Sequence, residues 1–296
     1  MAVLIGETAA LGSALIWAVA ARIYGQMGQR ISPLLLNFSK GAIALVIGAI
    51  VIIVAGLPLP QVPPVALVWL GLSGVVGIGL GDSCYLAALT TIGPRRTLLL
   101  ESLAPPLAAL LAWISFGEVI SVMAWLGIFL TVAGVTWVIV ERTIDTAVAG
   151  KHPYQGIVWG LLAALGQASG SVMSRFAFTL ADLDPFWTML IRVFAGITTV
   201  LILLGRLPSS ERQFPPFAWR WVLLLVGTAF ASTFLAIIGQ QTALKYAPAG
   251  IAQALLATSP LFILPIAAWS GEKLSFRAIA GVGVAMAGVT LLLLNR

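Results

Sequence analysis

The chain has 296 residues, 60% of them hydrophobic and only 9% charged, with a mean hydropathy of +1.06. So little charge cannot keep a soluble surface wet, so the composition excludes a soluble globular domain and places the chain in a bilayer. The formal net charge of +6 would suggest a nucleic-acid partner in a soluble protein, but the basic residues here sit in loops and at the ends of apolar stretches, where they set topology, and we assign no nucleic-acid binding.

Residues 1–6 have no basic leader and Glu7 falls where a continuous apolar core should be, so no cleaved signal is expected. A membrane-crossing helix needs about 20 apolar residues. Breaks at Pro, Gly and charge predict ten such spans, at 3–24, 34–55, 65–89, 97–116, 122–140, 155–180, 186–204, 217–244, 251–269 and 276–294. Trp17 stands mid-span in the first, beside Ser13, where an indole needs a partner for its N–H or a wet surface to face. Lining a pore and plain packing are the two readings. Trp69, Trp125, Trp187, Trp219, Trp221 and Trp269 fall near span ends, as interfacial indoles do.

Gly71, Gly74, Gly77, Gly79 and Gly81 crowd the third span. No Gly-Lys-Ser/Thr follows them, so a phosphate loop is excluded and close helix contact or a locally loosened helix remains. Cys84 is the sole cysteine, which rules out an intrachain disulfide and reads as a small packing residue. In the fifth and tenth spans small residues recur four apart (Gly127/Thr131, Gly281/Ala285, Gly283/Ala287), which assigns these spans to helix pairing. His152 is the only histidine and lies in a loop. Histidine metal clusters and Ser-His-Asp triads are therefore excluded on inventory, and no cofactor is expected.

The text of the chain repeats. Pro106 and Pro260, Gly117-Glu118 and Gly271-Glu272, Gly127 and Gly281, and Ala133–Thr136 and Ala287–Thr290 are each separated by 154 residues, as are Ala9–Gly12 and Ala163–Gly166. Pro33 and Lys40 match Pro185 and Arg192 at 152. The expected organisation is a first repeat at 1–140, a linker at 141–153 and a second repeat at 154–296, each repeat holding five spans. Five is odd, so the second copy enters the membrane from the opposite side. An all-α integral membrane fold of two inverted five-helix repeats is predicted, related by a pseudo-two-fold axis in the membrane plane.

Eleven of the sixteen Lys and Arg lie on the face that includes the linker and two, Lys245 and Arg296, on the face carrying both termini; Lys40, Arg175 and Arg192 lie inside spans. The count predicts a cytoplasmic linker face. An ionisable group at mid-bilayer costs about 2.5–3.5 kcal/mol on insertion scales, so each one is a functional hypothesis. Lys40, Asp82 and Glu101 are expected at similar depth in the first repeat, where they can neutralise one another or exchange a proton. Asp82 and Glu101 are the candidates for proton coupling; a helix-locking ion pair with Lys40 and snorkelling of Glu101 to the interface are the alternatives. In the second repeat Arg192 replaces Lys40, and Gln240, Gln241 and Gln253 supply neutral amides, so that two polar half-sites would face opposite sides of the bilayer. Arg175 faces either the cavity or a helix partner. Glu118 and Glu272 read as acids at helix N-termini rather than as ligands.

At these residues the sequence resembles the ten-helix branch of the drug/metabolite transporter superfamily, whose halves are EamA domains. The resemblance is carried by Trp17, Ala87-Ala88-Leu89 with Pro94, Leu103-Ala104-Pro105, Phe116-Gly117-Glu118, Thr242-Ala243-Leu244, Ser259-Pro260 and Ser270-Gly271-Glu272, over the whole chain. It implies a multi-pass carrier in the inner or plasma membrane, commonly an exporter of amino acids or related metabolites, monomeric or homodimeric, with a small-molecule solute and the lipid bilayer as partners. It also implies a central cavity among helices 1, 3, 4, 6, 8 and 9, which would place Trp17, Asp82, Tyr85, Glu101, Arg175, Gln240, Gln241 and Gln253 near it. It places both termini in the cytoplasm, opposite to the charge count. The reading from another class is a membrane enzyme acting on lipid-linked phosphates, which would use Arg95, Arg96, Asp82 and Glu101 as its one grouped set.

Overall fold

The computed structural model describes residues 2–141, 153–206, 219–259, 261–262 and 276–294, and among them there is no strand. We label the helical stretches α1 (Ala2–Met27), α2 (Pro33–Ala55), α3 (Pro64–Gly93), α4 (Arg96–Phe116), α5 (Val122–Glu141), α6 (Pro153–Leu180), α7 (Pro185–Gly205), α8 (Trp219–Tyr246), α9 (beginning with Ala249–Leu256) and α10 (Phe276–Leu294). Seven of them, α1–α4 and α6–α8, are long and apolar enough to cross a bilayer, and α5 and α10 contribute shorter apolar helices at Val122–Trp137 and Ile279–Leu294. Residues 263–275, with Glu272 and Trp269, and the linker with His152 lie outside the described residues.

Local chemistry sets the helix ends. Proline occupies the first turn of α2, α3 and α7, where the missing N–H has no partner to lose. Ser32 caps α2 and Asp184 caps α7 through side-chain oxygens that accept from the N–H groups of Leu35 and Phe186. Gly56 and Gly117 end α2 and α4 with φ of 61° and 66°, a left-handed turn that suits glycine. Outward positions carry large apolar side chains such as Ile53, Val54 and Val122, each more than three-quarters exposed, as a lipid-facing surface would.

Two helices depart from α geometry at matching places. Gly74–Gly81 of α3 and Phe230–Leu235 of α8 are π-helical, and their last residues, Gly81 and Leu235, stand at the same 154-residue offset as the sequence repeat. The crowded glycines of α3 thus do both things expected of them. They loosen the helix, and they bring it into backbone contact with its neighbours: a Cβ on Gly74 would lie 2.2 Å from the Arg192 carbonyl oxygen of α7.

The helices pair across the two halves. α1 packs on α8, α2 on α7, α3 on α6, α4 on α9 and α5 on α10. The α5–α10 contact is built as the small residues suggest, with Gly127 against Gly288 and Gly134 against Ala285; Gly283, expected in that contact, instead faces open space.

Candidate functional site

A cavity of about 160 Å³ lies between the halves. Its walls are Trp17, Ala18, Ala21 and Tyr24 of α1, Lys40 of α2, Ile78, Asp82 and Tyr85 of α3, and Leu98 and Glu101 of α4. Opposite stand Ala163 and Gln167 of α6, Arg192 of α7, Ser232, Thr233, Ile237 and Gln240 of α8, and Gln253 and Leu256 of α9. Along the helices the lining runs from Tyr24, Lys40 and Glu101, near the linker-side ends, to Arg192, Gln240 and Gln253, nearer the other ends. The two half-sites expected at opposite faces are in fact one cavity that both reach.

The π segments shape its middle. A π turn displaces carbonyls from the α register, and each segment has one carbonyl held by a side chain from another helix. Asn37 Nδ2 donates to Ile78 O at 2.9 Å in α3, and Trp17 Nε1 donates to Ser232 O at 2.9 Å in α8. Ile78 and Ser232 are equivalent positions, again 154 apart. Trp17 therefore has both features its depth calls for, a partner for the indole N–H and a face on the cavity. Tyr24, Ser232 and Asn37 were not singled out in the sequence; Tyr24 OH lies 2.8 Å from Ser232 Oγ, and Asn37 Nδ2 also reaches Ser83 Oγ.

The cavity's ionisable groups fall into two sets. Lys40 Nζ donates to Asp82 Oδ2, and the ammonium also stands 5.9 Å from the Tyr24 ring centroid. Arg192, only 1% exposed, sends Nη1 to Gln240 Oε1 at 3.2 Å, while its Nε and the Gln240 Nε2 have no hydrogen-bond partner among the described residues. Glu101 makes no ion pair with a described residue. Gln253 Nε2 donates to Ser171 Oγ, and Tyr85 lies on the wall between Asp82 and Glu101.

Two residues expected at the cavity are elsewhere. Gln241 points away from its neighbour Gln240, because consecutive helical residues stand about 100° apart, and its Oε1 accepts from Ser174 Oγ in the α6–α8 contact. Arg175 lies beyond the deep end of the cavity, on the face that carries the termini. Its Nε donates to Glu118 Oε1 at 3.0 Å and its Nη1 to the carbonyls of Leu244 and Lys245 at 3.0 and 2.7 Å. Glu118 is a helix N-terminal acid, but of α9 rather than of the helix that follows it: its Oε2 accepts from Ala249 N at 3.2 Å. Phe116 and Phe176 stack beside this pair at 3.9 Å between centroids, with Trp69 edge-on to both, and Lys245 pairs with Asp182 at 2.6 Å. These groups tie together the termini-side ends of α3, α4, α6, α8 and α9.

Of the set Arg95, Arg96, Asp82 and Glu101, the cavity brings together the two carboxylates. Asp82 is engaged by Lys40, Arg96 is exposed and not among the cavity walls, and the Arg95 side chain is outside the described residues.

The fold and cavity together define a multi-pass helical membrane protein whose two halves share one cavity. The profile of the EamA-like transporter family matches residues 4–140 and 154–294, and the chain belongs to that family. It is a multi-pass cell-membrane transporter of small solutes. A crystal structure of a protein that is 20% identical aligns over 100% of this chain and 97% of its own with a TM-score of 0.75, which is a likeness of fold. No curated protein matches the chain in sequence.

Proposed function

We infer that the protein is a secondary carrier that exports small organic solutes such as amino acids or related metabolites, by alternating access between two inverted five-helix repeats of ten transmembrane helices. The observation that carries this reading is the cavity to which both halves contribute polar and ionisable side chains. The helix pairing supports the pseudo-two-fold relation: exchanging each helix for its counterpart five places on maps α1–α8 onto α6–α3 and leaves α2–α7, α4–α9 and α5–α10 unchanged. In this reading residues 1–140 and 154–296 are the moving halves and 141–153 the linker.

Trp17, Lys40, Asp82, Tyr85, Glu101, Arg192, Gln240 and Gln253 contact the solute or hold those that do, whereas Arg175 and Gln241 serve the packing that opens and closes around it. Export is coupled to protons through Asp82 or Glu101, and of the two Glu101 is the carboxylate without an ion-pair partner among the described residues. Breaking Arg175–Glu118 in the other half of the cycle would release solute to the termini face. Following the charge count, the linker face is cytoplasmic, so that the cavity wall at Tyr24, Lys40 and Glu101 lies toward the cytoplasm.

The test is solute flux in proteoliposomes under an imposed pH gradient. Flux without covalent change of the solute is expected, with the pH-driven component lost in Glu101→Gln or Asp82→Asn. Undiminished gradient-driven flux in both variants would remove the coupling, and turnover of a lipid phosphate in detergent without flux would replace the carrier by an enzyme. A reporter fused after Arg296 is expected to signal from outside the cytoplasm; cytoplasmic signal would reverse the orientation.

A further inference from the structure

The deep end of the cavity carries positive charge and spare donors with nothing to receive them. Arg192 is buried to 1% and Gln240 to 3% exposure. A guanidinium can only donate, so its contact with Gln240 fixes the amide oxygen toward Arg192 and turns the Nε2 donors outward. Among the described residues Arg192 Nε and Gln240 Nε2 both remain without a partner, and both side chains line the cavity. Among the described residues no carboxylate stands within ion-pair distance of Arg192, and Asp82, whose charge acts on Arg192 from beyond that distance, is held by Lys40.

A buried guanidinium without a counterion is unfavourable, and a transporter that retains one gains from a cargo that supplies the missing charge. The π segment of α3 presses Gly74 and Gly77 against Arg192, so the side chain is confined: a Cβ on Gly77 would stand 3.2 Å from Nη2. A planar acceptor with two oxygens matches the donors left open, since the guanidinium edge favours two parallel N–H···O contacts and the amide adds a further donor beside them.

We propose that Arg192 and Gln240 form a carboxylate-binding subsite at the termini-side end of the cavity, so that the solute carries a carboxylate and enters with it leading. This rests on the carrier reading for its transport consequence, but binding alone tests it. The apolar and aromatic stretch at Trp17 and Ile237 then receives the body of the solute, and Trp17 supplies an intrinsic fluorescence reporter within reach of it.

The experiment is equilibrium binding to purified full-length protein in detergent, by calorimetry and tryptophan fluorescence, with phenylacetate, lactate and alanine, each compared with its carboxamide. At least one carboxylate is expected to bind tenfold or more tighter than its carboxamide. Arg192→Met should abolish that preference, Arg192→Lys should recover part of it, and Gln240→Leu should reduce the acid-over-amide ratio several-fold. Should Arg192→Met fail to yield folded protein, the Gln240→Leu and Arg192→Lys arms carry the test. Equal affinity for acid and amide, a preference that survives in Arg192→Met or is undiminished in Gln240→Leu, or no binding by any of the three acids would overturn the subsite. Proteoliposomes separate the two readings. Flux of a solute without a carboxylate keeps the carrier and sinks the subsite; carboxylate binding lost in Arg192→Met, with no flux of the bound acid, keeps the subsite and sinks the carrier.

Discussion

Lys40 and Arg192 hold corresponding places in the two halves, each in the second helix of its repeat and each seven residues past a helix-opening proline. Their surroundings diverge. Lys40 meets the carboxylate of Asp82, just past the π segment of α3, whereas the residue in that place in α8 is Ala236 and Arg192 has only the neutral amide of Gln240. Duplication thus preserved a scaffold position for a cation and varied its counterion. One half is neutralised from within, and the other is left for something that comes and goes.

That contrast can be broken in order of severity. The largest effect is expected from Gly74→Thr, which installs the residue that the second half has at the equivalent position, Thr228. The new Cβ would meet the Arg192 carbonyl, and overpacking against backbone costs about 3 kcal/mol. Loss of monodisperse protein in size-exclusion chromatography checks this, and Thr228→Gly, costing about 1 kcal/mol of helix propensity, should remain folded.

Next is a difference in sign. Lys40→Met strands the Asp82 carboxylate; breaking a buried pair costs about 3–5 kcal/mol, reduced here because the Asp82 side chain is a quarter exposed. Its thermal unfolding midpoint in detergent should fall, and Asp82→Asn added to it should restore most of the loss. Arg192→Met removes an unneutralised charge and should leave the midpoint unchanged or higher. Equal losses in the two variants would mean that the two halves are not electrostatically distinct.

Glu118→Gln should weaken the contacts at the termini face, because Arg175 would lose its only carboxylate while keeping its two carbonyl acceptors. Thiol labelling of a cysteine placed at Gln253 from that face is expected to quicken several-fold. The smallest effect is expected at the two carbonyl clasps. Trp17→Phe keeps an aromatic ring, though a smaller one, and deletes the N–H to Ser232 O, a hydrogen bond worth about 1 kcal/mol. Asn37→Leu should cost more, since Asn37 is fully buried and serves both Ile78 O and Ser83 Oγ.

The span ends were readable because Pro33, Pro64, Pro185, Gly56 and Gly117 act through their own backbone preferences, which need no tertiary context. Lys40, Asp82 and Glu101 were readable as a set from depth alone. Depth does not give direction, however. Gln240 and Gln241 share a depth and face different helices, and the π segment just upstream shifts the register on which any helical-wheel argument would rely. Arg175 misled for a related reason: it sits five residues before the end of α6, and its length carries the guanidinium out to Glu118 and the ends of α8 and α9. Tyr24 and Ser232 carried no signal of their own. The pairing of Ile78 with Ser232 at the repeat offset could have drawn attention to that level of the bundle, had the glycine run been known to unwind there.

Each π segment stores slack. A helix that holds a surplus residue can release it, and returning Gly74–Gly81 to α geometry would turn everything that follows by about 100° per residue expelled, carrying Asp82 off the Lys40 ammonium and Tyr85 off the cavity. With a matching segment in α8, the two halves each own a rotary joint at the level of the cargo, and side chains could be swung in or out there without any helix sliding along its neighbours.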